Sequence, residues 1–141
     1  MEIKIVKTEQ ERQDAYYVRK TVFVDKQKVP VELEIDEYED EAIHLVGYIE
    51  DKPVAASRIR FIENKGKLER ICVLKEHRGK YLGQQLIEVM EQIIKDRNVI
   101  ETTLNAQVYA IDFYKKLGYK VVSDEFDDAG IPHVTMEKSL V

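Results

Sequence analysis

The stretch Leu68-Glu69-Arg70-Ile71-Cys72-Val73-Leu74-Lys75-Glu76-His77-Arg78-Gly79-Lys80-Tyr81-Leu82-Gly83-Gln84-Gln85-Leu86 decides how this chain is read. Its apolar opening, ending in Ile71, Cys72 and Val73, has the character of a buried strand over 68–73. Leu82, Leu86, Val89, Met90 and Ile93 then recur at helical spacing, which predicts a long helix over 79–96. Between the two lies a short loop carrying Lys75, Arg78 and Lys80, with Gly79 inside it and Gly83 just beyond. A helix N-terminus offers unpaired N–H groups and the positive end of the helix dipole, so such a loop is suited to holding an anion. Glycine at 79 and 83 lets the backbone approach a ligand closely. The same residues also describe an ordinary strand–turn–helix connection with surface cations, and local physics alone leaves both readings open.

Working outward, Ile3 and Ile5 alternate with polar residues and predict a first strand over 2–7. Thr8 followed by Glu11 is a capping-box pattern, and Ala15, Val18 and Val22 continue on one helical face. Two strands, 43–49 and 54–62, are joined by a short turn at Glu50-Asp51-Lys52-Pro53 and should form a hairpin. A second turn at Asn64-Lys65-Gly66 leads into the strand 68–73. After the long helix come a short strand over 100–104 and a second amphipathic helix over 106–117, stopped by Gly118. Strands over 119–122 and 133–137 complete the pattern. Antiparallel hairpins followed by two βα units indicate an α+β mixed sheet with helices on its faces.

Composition narrows the class. The chain has 141 residues, 44% hydrophobic and 35% charged, with six glycines and three prolines, which excludes collagenous, low-complexity and disordered types. We expect one domain spanning 1–141. Cys72 is the only cysteine, so neither an internal disulfide nor a cysteine-based zinc site can form. The histidines at 44, 77 and 133 lack metal-ligand spacing, and no metal is expected. No apolar run approaches a membrane span, and the first residues do not resemble a signal peptide; the expectation is a cytoplasmic protein without a membrane partner. The net charge is −5, yet seven acids fall within 32–41, so the rest of the chain is slightly basic. That balance argues against a nucleic-acid surface, which needs a broad basic stripe. A local patch of Lys67, Arg70, Lys75, Arg78 and Lys80 suits a small anionic ligand instead.

Two ordered motifs carry a family resemblance. Val73 followed by Arg78-Gly79-Lys80-Tyr81-Leu82-Gly83 resembles the acyl-CoA pyrophosphate loop of the GNAT acetyltransferase superfamily. Ala110-Ile111-Asp112-Phe113-Tyr114-Lys115-Lys116-Leu117-Gly118-Tyr119 is similar to that superfamily's second segment, the helix beside the CoA thiol. Further pieces, such as Arg58-Ile59-Arg60 and Gly130-Ile131-Pro132-His133, resemble its ElaA/YjcF-like branch, and the likeness covers nearly the whole chain. It implies the GNAT acyl-CoA N-acyltransferase fold, a central, mostly antiparallel sheet flanked by helices. It implies acetyl-CoA as cosubstrate, an N-acetyltransferase activity on a primary amine through a ternary complex, and it allows a homodimer. Two departures stand out. Tyr81 replaces the loop's first motif glycine, where a positive φ would be strained. Gln107 stands where many members carry Asn, keeping the amide one methylene further out.

The resemblance also assigns candidate residues. Backbone groups of Ile71, Cys72 and Val73 would line the pantetheine and polarise the thioester. Arg78, Gly79, Lys80, Tyr81, Leu82, Gly83 and Gln84 would hold the pyrophosphate, with Asn105, Gln107, Phe113 and Lys116 completing the CoA site. Tyr114 is the candidate proton donor to the leaving thiolate, against the alternative of a packing tyrosine. Glu69 is the candidate general base, with its pKa raised by partial burial; the alternative is a surface ion pair with Arg70 or Lys67. His44 and His133 are rival bases or acceptor contacts. A covalent route through Cys72 would need an adjacent base, and a small buried thiol is more simply a core residue. Glu34 and Asp36, in the acidic run, are candidate contacts for a cationic acceptor, with a solvated loop as the alternative. Nothing specifies which amine is the acceptor. A non-catalytic acyl-CoA-binding or sensor module on the same fold, or an interaction domain using the acidic run, would share most of these features.

Overall fold

Thr8 starts the first helix as its capping pattern requires. The Thr8 hydroxyl accepts from the Glu11 N–H at 3.1 Å, while Glu11 Oε1 accepts from the Thr8 N–H, also at 3.1 Å. The computed structural model describes all 141 residues and places helix α1 at Glu9–Arg19. This helix does not stop at Arg19 but runs on as a π-helical stretch, Lys20–Lys26, followed by the single turn α2, Val31–Glu34. Neither had a signal in the hydrophobic pattern. A π-helical stretch costs backbone geometry and tends to occur where a site needs it.

The strands are β1 Glu2–Ile5, β2 Ile43–Ile49, β3 Lys52–Ile62, β4 Lys65–Val73, β5 Glu101–Gln107, β6 Lys120–Val121, β7 Phe126–Asp128 and β8 Ile131–Ser139. They form one sheet in the order β1-β2-β3-β4-β5-β8-β6, with β7 also on β8. Every pairing is antiparallel except β4 with β5. The β2–β3 turn is two residues, Glu50 and Asp51, both at positive φ (50° and 65°), the twist that matches a hairpin. The β3–β4 turn likewise uses Glu63 and Asn64, so it falls one residue earlier than predicted and β4 begins at Lys65. Gly66 belongs to the strand: a Cβ there would lie 2.5 Å from the Ile94 side chain, so helix packing needs the glycine.

Helix α3, Leu82–Asp96, covers one face of the sheet. Its Leu86, Met90 and Ile94 pack on Leu45, Ala55, Ile59, Leu68, Leu104 and Met136, all fully buried or nearly so. Helix α1 covers the other face with Ala15 and Val18 against Val46, Ala56 and Cys72. Successive strand residues thus feed opposite cores, as a period of two requires. Only Ile111–Lys116 of the expected 106–117 helix is α-helical (α4); β5 extends to Gln107 because its last residues pair with β8, and Val108–Ala110 is a 3-10 turn. No helix is long and apolar enough to cross a membrane.

Candidate active site

Two irregularities in β4 create the site. Arg70 sits at φ 55°, and the β3–β4 register skips so that Arg58 faces Glu69 while Ala56 faces Cys72. Arg70 and Ile71 together therefore oppose Ser57, a bulge that bends the strand. In addition, β4 and β5 pair only from Lys65–Glu101 to Leu68–Leu104, although β4 continues to Val73 and β5 to Gln107. Past Leu68 the two parallel strands separate. The β5-facing backbone groups of Ile71 and Val73 have no strand partner, Cys72 facing Ala56 on β3, and Ile71, Cys72 and Val73 all line a cavity of about 840 Å³.

At one end of the cavity lies the loop before α3. Gly79 takes φ +83° with open space where a Cβ would sit, a backbone other residues rarely adopt. Tyr81, exposed, holds the left-handed conformation (φ 61°) at the N-cap position, so the strain expected of a non-glycine residue there is present. Helix α3 has no side-chain cap, and its first-turn N–H groups face outward unclaimed. Arg78 folds back, its Nε donating to the Val73 carbonyl at 3.1 Å. Arg78, Gly79, Tyr81, Leu82, Gly83 and Gln84 line the cavity; Lys80 and Lys116 do not.

Opposite the loop stand Phe113 and Tyr114 of α4. The Tyr114 ring packs edge-on against Phe113 (5.1 Å between centroids) and Tyr119 (6.0 Å). Burial, and then the neighbouring Tyr109 phenol, raise its pKa, and its hydroxyl has no hydrogen-bond partner in the chain. Cys72 packs in the α1-side core, its Sγ 3.7 Å from the Ala56 carbonyl, and burial pushes the thiol up to about 12. A thiol so placed is protonated and unreactive at neutral pH. Asn105 and Gln107 also line the cavity, but their amides are engaged: Asn105 Oδ1 accepts from the Thr135 hydroxyl at 2.9 Å, and Gln107 Nε2 donates to Gln27 Oε1 at 2.9 Å. Gln27 had no signal in the sequence, since its role depends on the tie across to β5.

The carboxylates differ most from expectation. Glu69 does not carry the raised pKa of a poised base. Burial pushes it up, but the hydrogen bond from Arg60 and the charges of Arg58 and Lys67 outweigh that and bring it down to about 2. Arg58 Nε and Arg60 Nε both donate to Glu69 Oε1 at 2.8 Å. Glu34 and Asp36 are not free acceptor contacts either. Glu34 is almost fully buried between Arg19 (2.8 Å) and Arg70 (2.7 Å), and Asp36 accepts two hydrogen bonds from Arg58. Glu39 is bound by Arg19 and Arg58. Three of the run's seven carboxylates, Glu34, Asp36 and Glu39, are thus folded onto arginines, which relieves part of the repulsion among its charges. Arg58 could have been suspected from sequence, as a charge within the apolar strand Val54-Ala55-Ala56-Ser57-Arg58-Ile59.

These pairs set an acid limb. A carboxylate with a lower pKa folded than unfolded adds stability above its unfolded value and loses it as pH falls toward its folded value. Glu69, Asp36 and Glu39 are all lowered; Glu34 is raised, burial outweighing its two arginines, and works in the opposite sense. Glu69 alone accounts for roughly 3 kcal/mol. The melting temperature should therefore hold above about pH 5 and fall between about pH 4.5 and 2, as followed by circular dichroism. A melting temperature still unchanged at about pH 3 would contradict the pairing.

The histidines separate. His44 lies off the cavity, under Tyr16, with Nε2 2.7 Å from the Glu39 carbonyl and Nδ1 buried without a partner; burial lowers its pKa. His133 lines the cavity on β8 beside Phe126, and its Nδ1 donates to the Ile131 carbonyl at 2.7 Å. A ring that donates through Nδ1 is left, when neutral, with Nε2 as its acceptor.

A sheet with one splayed parallel pair, unpaired strand backbone in the gap and an uncapped helix at its mouth defines an acyl-CoA N-acyltransferase architecture. The chain belongs to the GNAT acetyltransferase family, whose acetyltransferase (GNAT) domain model matches residues 6–140. It is 50% identical over 139 residues to the uncharacterized N-acetyltransferase YjcF of Bacillus subtilis, covering 98% of this chain and 99% of that protein. It is 29% identical over 134 residues to ElaA of Escherichia coli, covering 88% and 84%; the ElaA crystal structure matches with a TM-score of 0.88 at 24% identity, covering 98% of this chain and 99% of that one. An acyl-CoA N-acyltransferase from Pseudomonas aeruginosa matches with a TM-score of 0.86 at 25% identity over 98% of each chain. These place the protein with the ElaA- and YjcF-like acetyltransferases.

Proposed function

We propose that the protein transfers the acetyl group of acetyl-CoA directly to a primary amine, with both substrates in the cavity at once. The separation of β4 from β5 is the observation that carries this reading. It leaves the Ile71 backbone and the Val73 N–H able to hydrogen-bond an extended ligand arm, and the arm leads to the uncapped N-terminus of α3. Arg78, Lys75 and Lys80 add positive charge around that end. The residues present therefore suit an acyl-CoA, which would supply an activated thioester.

In the reaction a C–N bond forms to the acetyl carbonyl carbon, the C–S bond breaks, the amine loses a proton and the departing sulfur gains one. Tyr114, which lines the cavity, is the candidate to give that proton. Its pKa lies above a free thiol's, so the transfer is favourable only to a thiolate that the same cavity desolvates and makes more basic. His133 Nε2 is the better candidate to receive the amine's proton, because Glu69, held near 2 by three cations, is a weak base at neutral pH. The inert Cys72 favours direct transfer over an acetyl-cysteine intermediate.

The test is binding with a selective variant. Acetyl-CoA at ~100 times its dissociation constant should add about 2.7 kcal/mol, several degrees in melting temperature, with dephospho-CoA weaker. At Gly83 an added Cβ would only touch Phe113 Cζ at 3.4 Å, so Gly83→Ala should fold normally. Gly83→Asp puts a carboxylate against the anion site and should abolish most of the acetyl-CoA shift while the unliganded melting temperature changes little. The reading fails if no CoA species stabilises the wild type.

A further inference from the structure

The cavity has a second end, remote from the α3 loop, where β4 runs back from Ile71 to Lys67. An acceptor must approach the thioester from there. Apolar side chains line the cavity as well: Leu33, whose carbonyl accepts from Arg70, and, further along toward Gln107 and the start of β8, Phe23, Val29 and Ile131. The charged groups are unequal in what they offer. Glu34 and Glu69 line the cavity, but their side chains are only 2% and 10% exposed and are held by the arginines behind them. The groups that reach into the space are Arg70 and Lys67, at 24% and 23%. Arg70 spends its Nε and Nη2 on Glu34, Asp36 and the Leu33 carbonyl, while its Nη1 donates to nothing in the chain. Lys67 Nζ has one carboxylate oxygen, on Glu69, at 3.3 Å, which leaves further N–H donors free.

We propose that this end recognises a carboxylate, held by Lys67 and Arg70, so that the acceptor is an amino-carboxylate with an apolar side chain, of the class of the apolar α-amino acids. The proposal rests on the acetyltransferase reading above. It reverses the sign expected of an acidic run, because folding turns those carboxylates inward and leaves donors at the surface they would have lined. Free cationic donors beside an apolar wall match a carboxylate and a hydrocarbon on one small molecule. The rival is a polyamine, drawn by Asp128 at the end of β7, a lining carboxylate with no basic partner within 4.0 Å.

The experiment measures thiol release from acetyl-CoA with leucine, methionine and phenylalanine, with their amides, with the corresponding decarboxylated amines, and with spermidine. Acetyl-CoA binding is measured separately by calorimetry. The expected result is a kcat/KM for the amino acids at least ~10-fold above that of their amides and amines, with spermidine poorest. Lys67→Met should raise the amino-acid KM by ~10-fold or more, leave kcat and the acetyl-CoA KM near wild type, and erase the preference over the amides; Lys67→Arg should restore it. Amides, amines or spermidine used as well as the amino acids would overturn the proposal. So would the absence of any amino-acid turnover in a protein that binds acetyl-CoA. Absence of acetyl-CoA binding would instead overturn the acetyltransferase reading, and this proposal with it.

Discussion

Replacing Arg58 with methionine should destabilise the protein by about 3–5 kcal/mol, the cost typical of removing one partner from a buried ion network. Arg58 is 1% exposed and serves three carboxylates: Asp36, Glu39 and Glu69. Each keeps another cation, Arg70, Arg19 and Arg60 respectively, which holds the loss within that range rather than beyond it. The methionine would return some packing and avoid burying the guanidinium, but it offers no donor to groups already removed from water. For a chain of this length the loss corresponds to about 10–17 °C in melting temperature. Urea unfolding at pH 7 is the direct measurement, with an unchanged slope confirming that stability rather than the unfolded state has changed. Because Asp36 and Glu39 fasten the 32–41 segment beside the cavity, the variant should also lose acceptor turnover at temperatures where acetyl-CoA still binds. Wild-type stability in Arg58→Met would show that the network contributes nothing net.

Tyr114→Phe should lower kcat by ~10²-fold or more, with the acetyl-CoA KM changed far less. The substitution keeps the ring, its edge-on contacts with Phe113 and Tyr119, and its place in the core. Only a hydroxyl without a partner in the chain is removed, so the melting temperature should stay level or rise slightly. A tyrosine that merely packs would leave turnover intact as well as stability, because phenylalanine keeps every packing contact. An unaltered kcat, with the chemical step shown to limit the rate, would remove Tyr114 from the mechanism.

Much of the fold was legible because it is written at short range. The capping box at Thr8 and Glu11 spans four residues, the hairpin turns two, and the α3 stripe repeats every three or four. The same holds for the loop Arg78–Gly83 and for the Phe113-Tyr114 pair, each of which is a run of adjacent residues. Where the chain departs from expectation, a distant partner decided. The 106–117 helix begins late because β5 pairs onward with β8, to Gln107 with His133. The single turn α2 carries Glu34 onto the buried Arg19 guanidinium, a long-range constraint that hydrophobic periodicity does not express.

By itself, then, the residue order determined the mixed sheet, its two covering helices, the cationic loop before α3 and the family. Only the tertiary structure decided which charges are available. Arg58 lies 22 residues from Asp36, and Arg70 lies 36 from Glu34; no local pattern pairs them. The charge a site presents is the remainder after such long-range pairs have cancelled. Burial magnifies each cancellation, because an ion removed from water must find its counter-ion inside the protein. For that reason the sequence leaves Glu69, Glu34 and Asp36 open between substrate contact and ion pair or solvated loop, and the fold gives them to arginines.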